Sequence, residues 1–375
     1  MPKTVLHIAE APGGVERYLV TLLTKMRAYK EYEHILVCSS TFDKEKFRGL
    51  VKSVTVIDEM HNAISLIHDS KAVLQVRRAI KHYKPDIVYC HSSKAGAIGR
   101  LADLGMKNTL IYNAHGWAFN MRGTNKKKVK LYEVVERMLA PLADKIVCIS
   151  EYEKRSALEH KICEENKLVV INNGINFKEF VTVHLKSRSD FNISENAFVV
   201  GTIGRLTTQK APDIFVKMAR LVKDQIPSSF FVMVGDDIGD GHVRGEIEKQ
   251  IKEANLEKDF LITGWVDNPL DYEGLFDVAV LLSRWEGFGL VLPEYMFMGK
   301  PIVATKADAI PYVVGDTGLL VDIDDYIHAA EAVVKLYEDQ ELRSRNIEKG
   351  KERVKLFDAQ RTADEHVNLI HQLTE

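Results

Sequence analysis

The chain has 375 residues, 46% hydrophobic and 28% charged. That length suggests two domains of ~150 residues or more, and the composition excludes a disordered, collagenous or coiled-coil protein. The net charge of −2 conceals an uneven distribution: residues 1–185 hold 29 Lys and Arg against 20 Asp and Glu, whereas residues 186–375 hold 22 against 33, so the two halves are electrostatically distinct.

Residues 1–9 run straight into a strand-like segment, without the long apolar core of a signal peptide. The longest apolar runs, such as Val278 to Leu282, are strand-sized, which excludes a membrane-spanning helix. In the first half, strands are expected at Thr4–Ala9, His34–Ser39, Val54–Ile57, Asp86–His91, Thr109–Asn113, Lys145–Ile149 and Leu168–Ile171. They are rich in Val and Ile and lack period-two alternation, as strands covered on both faces do. Helices are expected between them at Val15–Lys30, Lys71–Tyr83, Ala95–Leu104, Lys127–Leu142 and Tyr152–Lys161. Leu19, Leu22, Leu23 and Met26 give the first an apolar stripe.

From about Phe180 to Asn196 the pattern breaks, and Val183–Ser189 within it is polar and unperiodic and reads as a linker. The alternation then restarts, with strands at Phe198–Ile203, Phe230–Val234, Phe260–Thr263, Val278–Leu282, Ile302–Thr305 and Leu319–Val321. Helices are expected at Pro212–Asp224, Val243–Ala254, Leu290–Met298, Tyr326–Tyr337 and Leu342–Lys355. Strand and helix in alternation imply an α/β fold of two doubly wound parallel sheets, each with a ligand crevice at the carboxyl ends of its strands. If those ends face each other across a central cleft, two substrates can meet there, which suits a transferase. Cys38, Cys90, Cys148 and Cys163 lack any Cys-x-x-Cys spacing, which favours reduced thiols in a cytosolic protein over a zinc site.

Three glycine turns follow strands. Gly13 and Gly14 open the first helix, either as an anion-binding turn or simply as a tight one; the spacing is not Gly-x-Gly-x-x-Gly, and no acidic residue sits on the second strand, which disfavours a nicotinamide dinucleotide. Gly204-Arg205-Leu206-Thr207-Thr208-Gln209-Lys210 places two cations on one loop, suited to a diphosphate. Glu286-Gly287-Phe288-Gly289-Leu290 ends a buried strand and opens a helix whose Glu294 lies eight residues beyond Glu286. The turn amides suit phosphate oxygens and the carboxylates suit sugar hydroxyls. Asp322-Ile323-Asp324-Asp325 could pass for a metal-binding Asp-x-Asp, but its place before a helix makes an N-cap the simpler account.

Glu286 and Glu294 resemble the Glu-x7-Glu motif of retaining GT-B glycosyltransferases of family 4, particularly those of bacterial surface-polysaccharide assembly. Gly204, Arg205 and Lys210 resemble the family's Gly-Arg-x4-Lys segment, Gly13 and Gly14 its amino-terminal glycine loop, and Asn173-Gly174-Ile175-Asn176 its Asn-Gly-Val-Asp turn. Ser283-Arg284 departs from the Pro-Ser of many members and leaves the role of Arg284 open.

The resemblance implies an acceptor-side domain over residues 1–178, a donor domain over 179–357, and a C-terminal helix within 358–375 that crosses back to the first. It implies a donor site of Gly14, Gly204, Arg205, Lys210, Gly264, Trp265, Glu286, Gly287, Phe288, Gly289, Leu290 and Glu294. Catalytic roles fall to His115, Glu286, Arg205 and Lys210. Gly13, Gly14, His91, Lys94 and His115 lie on the acceptor side. The implied activity is transfer of a sugar from a nucleotide-diphosphate sugar, a UDP-sugar, to a lipid-linked oligosaccharide acceptor. No cofactor, essential metal or nucleic-acid partner is implied. The basic Lys126–Lys130 segment implies peripheral contact with an anionic membrane surface, at the inner face of the plasma membrane. The alternatives are a sugar-nucleotide epimerase or hydrolase of the same fold, and a non-catalytic sugar-nucleotide-binding partner of another transferase.

Overall fold

A computed structural model describes residues 2–10, 13–61, 63–181, 183–237 and 242–374. The chain divides into two compact units, Met1–Gly174 with Asp358–Glu375, and Ile175–Phe357. The division after Gly174 falls four residues before the expected one.

The first unit holds a parallel sheet of β1 (Lys3–Ala9), β2 (Tyr32–Cys38), β3 (Ser53–Val56), β4 (Ile87–His91), β5 (Thr109–Asn113), β6 (Lys145–Cys148) and β7 (Leu168–Val170). Its order is β3-β2-β1-β4-β5-β6-β7, so the winding reverses between β1 and β4, where open α/β sheets bind ligands. Side chains alternate across the pleat. Leu6, Ile8, Val88 and Cys90 join a core with Ala72 and Val76 of the helix Leu66–Tyr83 and with Ile98 of the helix Ser93–Asp103. Val5, Ala9, Ile87 and Tyr89 join a second core with Leu19 and Leu22 of the helix Gly14–Met26 and with Ala363, Val367 and Ile370 of the C-terminal helix Ala359–Thr374. That helix is fastened to the unit by Thr362 Oγ1, which donates to the Asn172 carbonyl at 2.9 Å, and by Lys3 Nζ, which donates to Thr374 Oγ1 at 2.6 Å.

The second unit repeats the plan with β8 (Phe198–Ile203), β9 (Ser229–Val234), β10 (Phe260–Ile262), β11 (Val278–Leu281), β12 (Ile302–Thr305) and β13 (Gly318–Val321), ordered β10-β9-β8-β11-β12-β13 and all parallel. Its winding reverses between β8 and β11.

Three expectations need correction. The segment expected as a linker is packed onto the second unit. The helix Phe177–Val181 runs into it and a 3-10 turn at Arg188–Phe191 lies within it, and Arg188 donates to Asp277 Oδ2 and to the Ala197 carbonyl, both at 2.8 Å. The helix expected to reach Leu142 spans Lys126–Leu139 and tightens into a 3-10 turn at Ala140–Leu142, because Pro141 lacks the N–H that would continue it. The short helix Ile310–Val314 was not expected; five residues carry too little periodicity to be read.

Cys38, Cys90 and Cys148 are buried and Cys163 is half-buried, and none forms a disulfide. Among the described residues no helix is long and apolar enough to cross a membrane.

Candidate functional site

In the second unit the parallel pairing of β8 with β11, Val278 beside Val200 and Ala279 beside Gly201, brings together two loops distant in sequence. The loop after β8 carries Gly204, Arg205 and Lys210. The loop after β11 carries Ser283, Arg284, Trp285 and Glu286. Lys210 Nζ donates directly to Glu286 Oε1, and Ser283 Oγ donates to the same oxygen at 3.1 Å. The backbone N–H of Glu286 is held by Asp308 Oδ2 at 3.0 Å. Glu286 is buried, Lys210 half-buried and Arg205 exposed. No partner among the described residues holds the Arg205 guanidinium, so it is the unspent positive charge of this loop. A recess beneath the loop is lined by Thr202, Arg205, Lys210, Phe215 and Met233.

Arg284, whose role the sequence left open, is the clamp of this arrangement. Its Nη2 donates to Asp213 Oδ2 at 2.7 Å, its Nε to Asp324 Oδ1 at 2.6 Å and its Nη1 to the Thr208 carbonyl at 2.9 Å. Its own N–H donates to the Gln209 carbonyl at 2.8 Å, and Gln209 Nε2 donates back to the Trp285 carbonyl at 3.0 Å. The planar guanidinium thereby ties the Lys210 loop to Asp213, at the start of the helix Pro212–Gln225, and to Asp324. Asp324 is thus an ion-pair partner, and Asp325 caps the helix Tyr326–Glu338, accepting from the His328 N–H at 3.0 Å.

The remaining donor-side candidates surround the same strand ends. Gly204 N–H donates to the Val234 carbonyl at 3.0 Å and Leu206 N–H to the Asp236 carbonyl at 2.8 Å, so the loops after β8 and β9 run side by side. Gly235, with φ 137°, makes that approach possible, since a Cβ there would stand 2.2 Å from the Gly204 carbonyl oxygen. Gly264 closes β10 in an isolated bridge to Gly235, and Trp265 beside it is 63% exposed. Gly287, Phe288, Gly289 and Leu290 lead into the helix Val291–Phe297. The Phe288 ring is buried edge-on against Phe357 at 5.5 Å between centroids, so at that position only the backbone is available to a ligand. Glu294, in the first turn of that helix, is 1% exposed.

In the first unit, Gly13 caps the helix Gly14–Met26 with φ 81°, and a Cβ at Gly13 or Gly14 would meet nothing within 4 Å. The backbone is therefore open to a partner at the carboxyl end of β1. Ala11 and Pro12 of the same loop lie outside the described residues. Two non-glycine residues with positive φ close the neighbouring strands, Ser92 at 83° after β4 and His115 at 53° after β5. Such strain persists where surroundings over-determine it. Here the Asn113 side chain accepts from the His115 N–H at 2.9 Å and the Tyr18 ring packs edge-on against the imidazole at 4.5 Å.

Two acceptor-side candidates are engaged by neighbouring protein groups. His91 is buried, and its Nδ1 lies 3.1 Å from His115 Nε2, so it would act on a substrate through His115. Lys94 is half-buried, its Nζ 2.5 Å from Asp69 Oδ1 and donating to the Ala63 carbonyl at 2.9 Å.

The sequence reading missed His7, His34 and His366. His7 Nδ1 lies 3.0 Å from His91 Nε2, and His7 Nε2 lies 3.1 Å from His34 Nδ1. His366 Nε2 lies 2.9 Å from the hydroxyls of both Tyr18 and Tyr89. The available signal was a polar residue inside an otherwise apolar strand, as His7 is in Val5–Ala9. Burial holds all of these imidazoles below their ordinary pKa, His115 at about 3 and His34 and His366 at about 4.

The chain has known relatives. Residues 12–179 match the family described as Glycosyltransferase Family 4, and residues 184–353 match Glycosyl transferases group 1. An Escherichia coli protein, UDP-Gal:alpha-D-GlcNAc-diphosphoundecaprenol alpha-1,3-galactosyltransferase, is 30% identical over 293 residues, 74% of this chain and 73% of that one. A Campylobacter jejuni alpha-1,4-N-acetyl-D-galactosaminyltransferase, named for a GalNAc-alpha-(1->4)-GalNAc-alpha-(1->3)-diNAcBac-PP-undecaprenol acceptor, is 26% identical and the match covers 96% of each chain. In fold, Anabaena HepE, solved with UDP and glucose, matches with a TM-score of 0.81 at 19% identity, covering 99% of this chain and 100% of that one. Sucrose-phosphate synthase from Thermosynechococcus elongatus matches with a TM-score of 0.85 at 20% identity, covering 100% and 99%. With adjoining family matches over both halves, a galactosyltransferase relative at 30% identity and two doubly wound sheets of the GT-B kind, the chain belongs to family 4 of the GT-B glycosyltransferases and is a hexosyltransferase-type enzyme.

Proposed function

We propose that this glycosyltransferase draws its sugar from a UDP-sugar and transfers it, with retention of anomeric configuration, to a lipid-pyrophosphate-linked glycan in surface-polysaccharide assembly. The observation that carries this reading is the convergence of Arg205, Lys210 and Glu286 at the carboxyl ends of β8 and β11. The names of the Escherichia coli and Campylobacter jejuni relatives support the UDP-linked donor and the undecaprenol-diphosphate acceptor, respectively.

In the step proposed, the bond between the anomeric carbon and the diphosphate oxygen breaks, negative charge grows on the leaving UDP, an acceptor hydroxyl oxygen bonds that carbon from the same face, and its proton passes to the departing phosphate oxygen. Arg205 and Lys210 meet that charge, and the amides of Phe288, Gly289 and Leu290 add dipoles; electrostatic stabilisation of this kind is usually the largest single contribution to catalysis. Lys210 comes to the phosphate already oriented by Glu286, and Glu286 in turn accepts from a donor-sugar hydroxyl. Glu294 takes the ribose hydroxyls, and Trp265 and Gly264 frame the base. His115 contacts the reacting sugar. The two cations meet the leaving-group charge without a metal ion.

The acceptor makes contact with a membrane part of the proposal. Lys126, Lys127, Lys128 and Lys130 are exposed at the start of the helix Lys126–Leu139. Val129 and Tyr132 pack on the core, while Leu131, Val134 and Met138 remain exposed. Cations beside exposed apolar side chains suit an anionic lipid surface, each cation being worth ~1 kcal/mol there. Calorimetric titration with UDP in EDTA tests the donor site: wild type should bind, and Lys210→Ala and Arg205→Ala should each bind at least ~10-fold more weakly. Unchanged affinity in both variants would overturn the assignment.

A further inference from the structure

Four imidazoles form a hydrogen-bonded row along one face of the first unit's sheet. The strand register explains it. His34 on β2 pairs with Val5, two residues before His7 on β1; His91 on β4 pairs with Ala9, two residues after His7. His91 also pairs with Asn113 on β5, two residues before His115. Steps of two keep His34, His7 and His91 on the same face, and His115, in the loop just past β5, meets His91 at the end of the row. The row therefore climbs diagonally over four neighbouring elements and ends at His115. The contacts are of one kind throughout: His34 Nδ1 to His7 Nε2 at 3.1 Å, His7 Nδ1 to His91 Nε2 at 3.0 Å, and His91 Nδ1 to His115 Nε2 at 3.1 Å.

We propose that this row fixes which nitrogen of His115 carries the proton: His34, His7 and His91 hold it as the Nδ1–H tautomer, so that His115 offers an N–H donor and not a base. They are positioning residues that act through His115. The consequence for catalysis rests on the assignment of His115 to the reacting sugar; the tautomer itself does not.

A neutral imidazole has one N–H and one lone pair. Burial holds His34 and His115 at about 4 and about 3, and His7 and His91 well below the ordinary value, so each ring carries a single proton at neutral pH. In a row of such rings every proton must point the same way. Two arrangements exist. If each ring donates from Nε2, His115 donates into the row, and His34 is left with its proton on Nε2. That atom is buried and has no partner. If each ring donates from Nδ1, His34 Nε2 is only an unfilled acceptor, and His115 receives a bond at Nε2 and keeps its proton on Nδ1. A buried donor without an acceptor is the rarer and costlier defect. At the other end nothing opposes this choice. His115 is half-buried, and its Nδ1 has no partner among the described residues and is not among their buried unpartnered atoms. Water or a sugar hydroxyl can accept from it. The polarity of the row is thus decided at His34 and read out at His115.

The test is the ring-nitrogen spectrum of the full chain labelled with 15N-histidine at pH 7, with peaks assigned through His115→Gln. The wild type should show His115 Nδ1 as the protonated, pyrrole-type nitrogen and Nε2 as the pyridine-type one. His91→Leu removes the donor to Nε2 and should return His115 toward the Nε2–H form that free imidazole side chains prefer. His91→Asn, whose amide nitrogen can take the place of Nδ1–H, should restore the wild-type pattern. A wild-type His115 protonated on Nε2, or a pattern unmoved by His91→Leu, would overturn the proposal. If His91→Leu fails to fold, the wild-type spectrum still decides. On turnover, His91→Leu should lower kcat on the order of 10²-fold with the KM for the nucleotide sugar unchanged, and His91→Asn should recover it. The shifts of the spectrum without any loss of kcat would leave the tautomer standing and remove His115 from the reaction.

Discussion

Lys210 and Glu286 stand 76 positions apart in the chain and form a direct ion pair at the carboxyl ends of adjacent parallel strands. The cation read as a phosphate ligand and the carboxylate read as a sugar ligand are therefore one unit. Glu286 holds the ammonium in place, with Ser283 Oγ at 3.1 Å steadying the carboxylate. Lys210→Ala should cost more than one phosphate contact, because it also leaves a buried carboxylate without its counter-ion. We expect its turnover to fall at least ~10-fold below that of Arg205→Ala, measured as kcat/KM with the same donor. Equal losses would show that the pairing has no consequence for the reaction.

Arg284 touches no proposed ligand, yet Arg284→Ala should weaken UDP binding about 10-fold, since a charge-assisted bond is worth ~1.5–3 kcal/mol and its three bonds tie the Lys210 loop, at Thr208, to Asp213 and Asp324. Arg284→Lys should recover only part of this, because an ammonium cannot reproduce the fork that reaches Asp213, Asp324 and the Thr208 carbonyl together. Calorimetry with UDP checks both; full affinity in Arg284→Ala would reduce the clamp to surface decoration.

How much of this was legible in the residues alone divides along physical lines. The strands were readable because a parallel sheet covered on both faces needs unbroken apolar runs, and β5, β8 and β12 span the expected residues. The motif loops were readable because glycine and charge follow those runs directly. What could not be read depends on strand order. The family resemblance puts Lys210 and Glu286 in one donor site, but nothing in the residues says that they pair directly, or that His34, His7 and His91 lie on neighbouring strands two residues out of step. Arg284 was opaque for the same reason, since its partners Asp213 and Asp324 come from elements 71 and 40 positions away. The helix Phe177–Val181 was hidden by its length.

Acid should destabilise the first unit earlier than ordinary carboxylate titration would. His34 and His366 at about 4 and His115 at about 3 all lie below the ordinary 6.5. Between about pH 4 and 6.5 the unfolded chain therefore binds more protons than the folded one, and stability falls as the pH drops through that window. Urea midpoints should be lower at pH 5 than at pH 7. A midpoint that is equal or higher at pH 5 would contradict the burial of these rings.

Inside the first unit, Arg100 and Glu136 form a buried pair at 2.7 Å; Tyr112 donates to Glu136 at 2.7 Å, and the Arg100 guanidinium lies 4.0 Å from the Tyr112 ring centroid. Glu136→Leu should cost ~3–5 kcal/mol by leaving the guanidinium buried without a counter-ion, and the double change Arg100→Leu with Glu136→Leu should recover much of it. Chemical denaturation of the two variants tests this, and equal stability in both would contradict it.

Replacing Lys126, Lys127, Lys128 and Lys130 with glutamine should weaken co-sedimentation with anionic vesicles while leaving UDP affinity unchanged. Wild-type binding should fall with added salt and be absent on neutral vesicles. Equal partitioning to neutral and anionic vesicles would remove the electrostatic part of the membrane proposal.

The most direct test of the central claim is product analysis with a panel of nucleotide sugars, each offered with a lipid-pyrophosphate-linked glycan acceptor. Mass spectrometry identifies the product and the proton spectrum of the new linkage gives its anomeric configuration. The account predicts that one UDP-sugar is consumed only when acceptor is present, yielding UDP and an extended lipid-linked glycan with the donor's anomeric configuration. Turnover of the nucleotide sugar without acceptor, to free sugar or an epimer, or a product of inverted configuration, would contradict it.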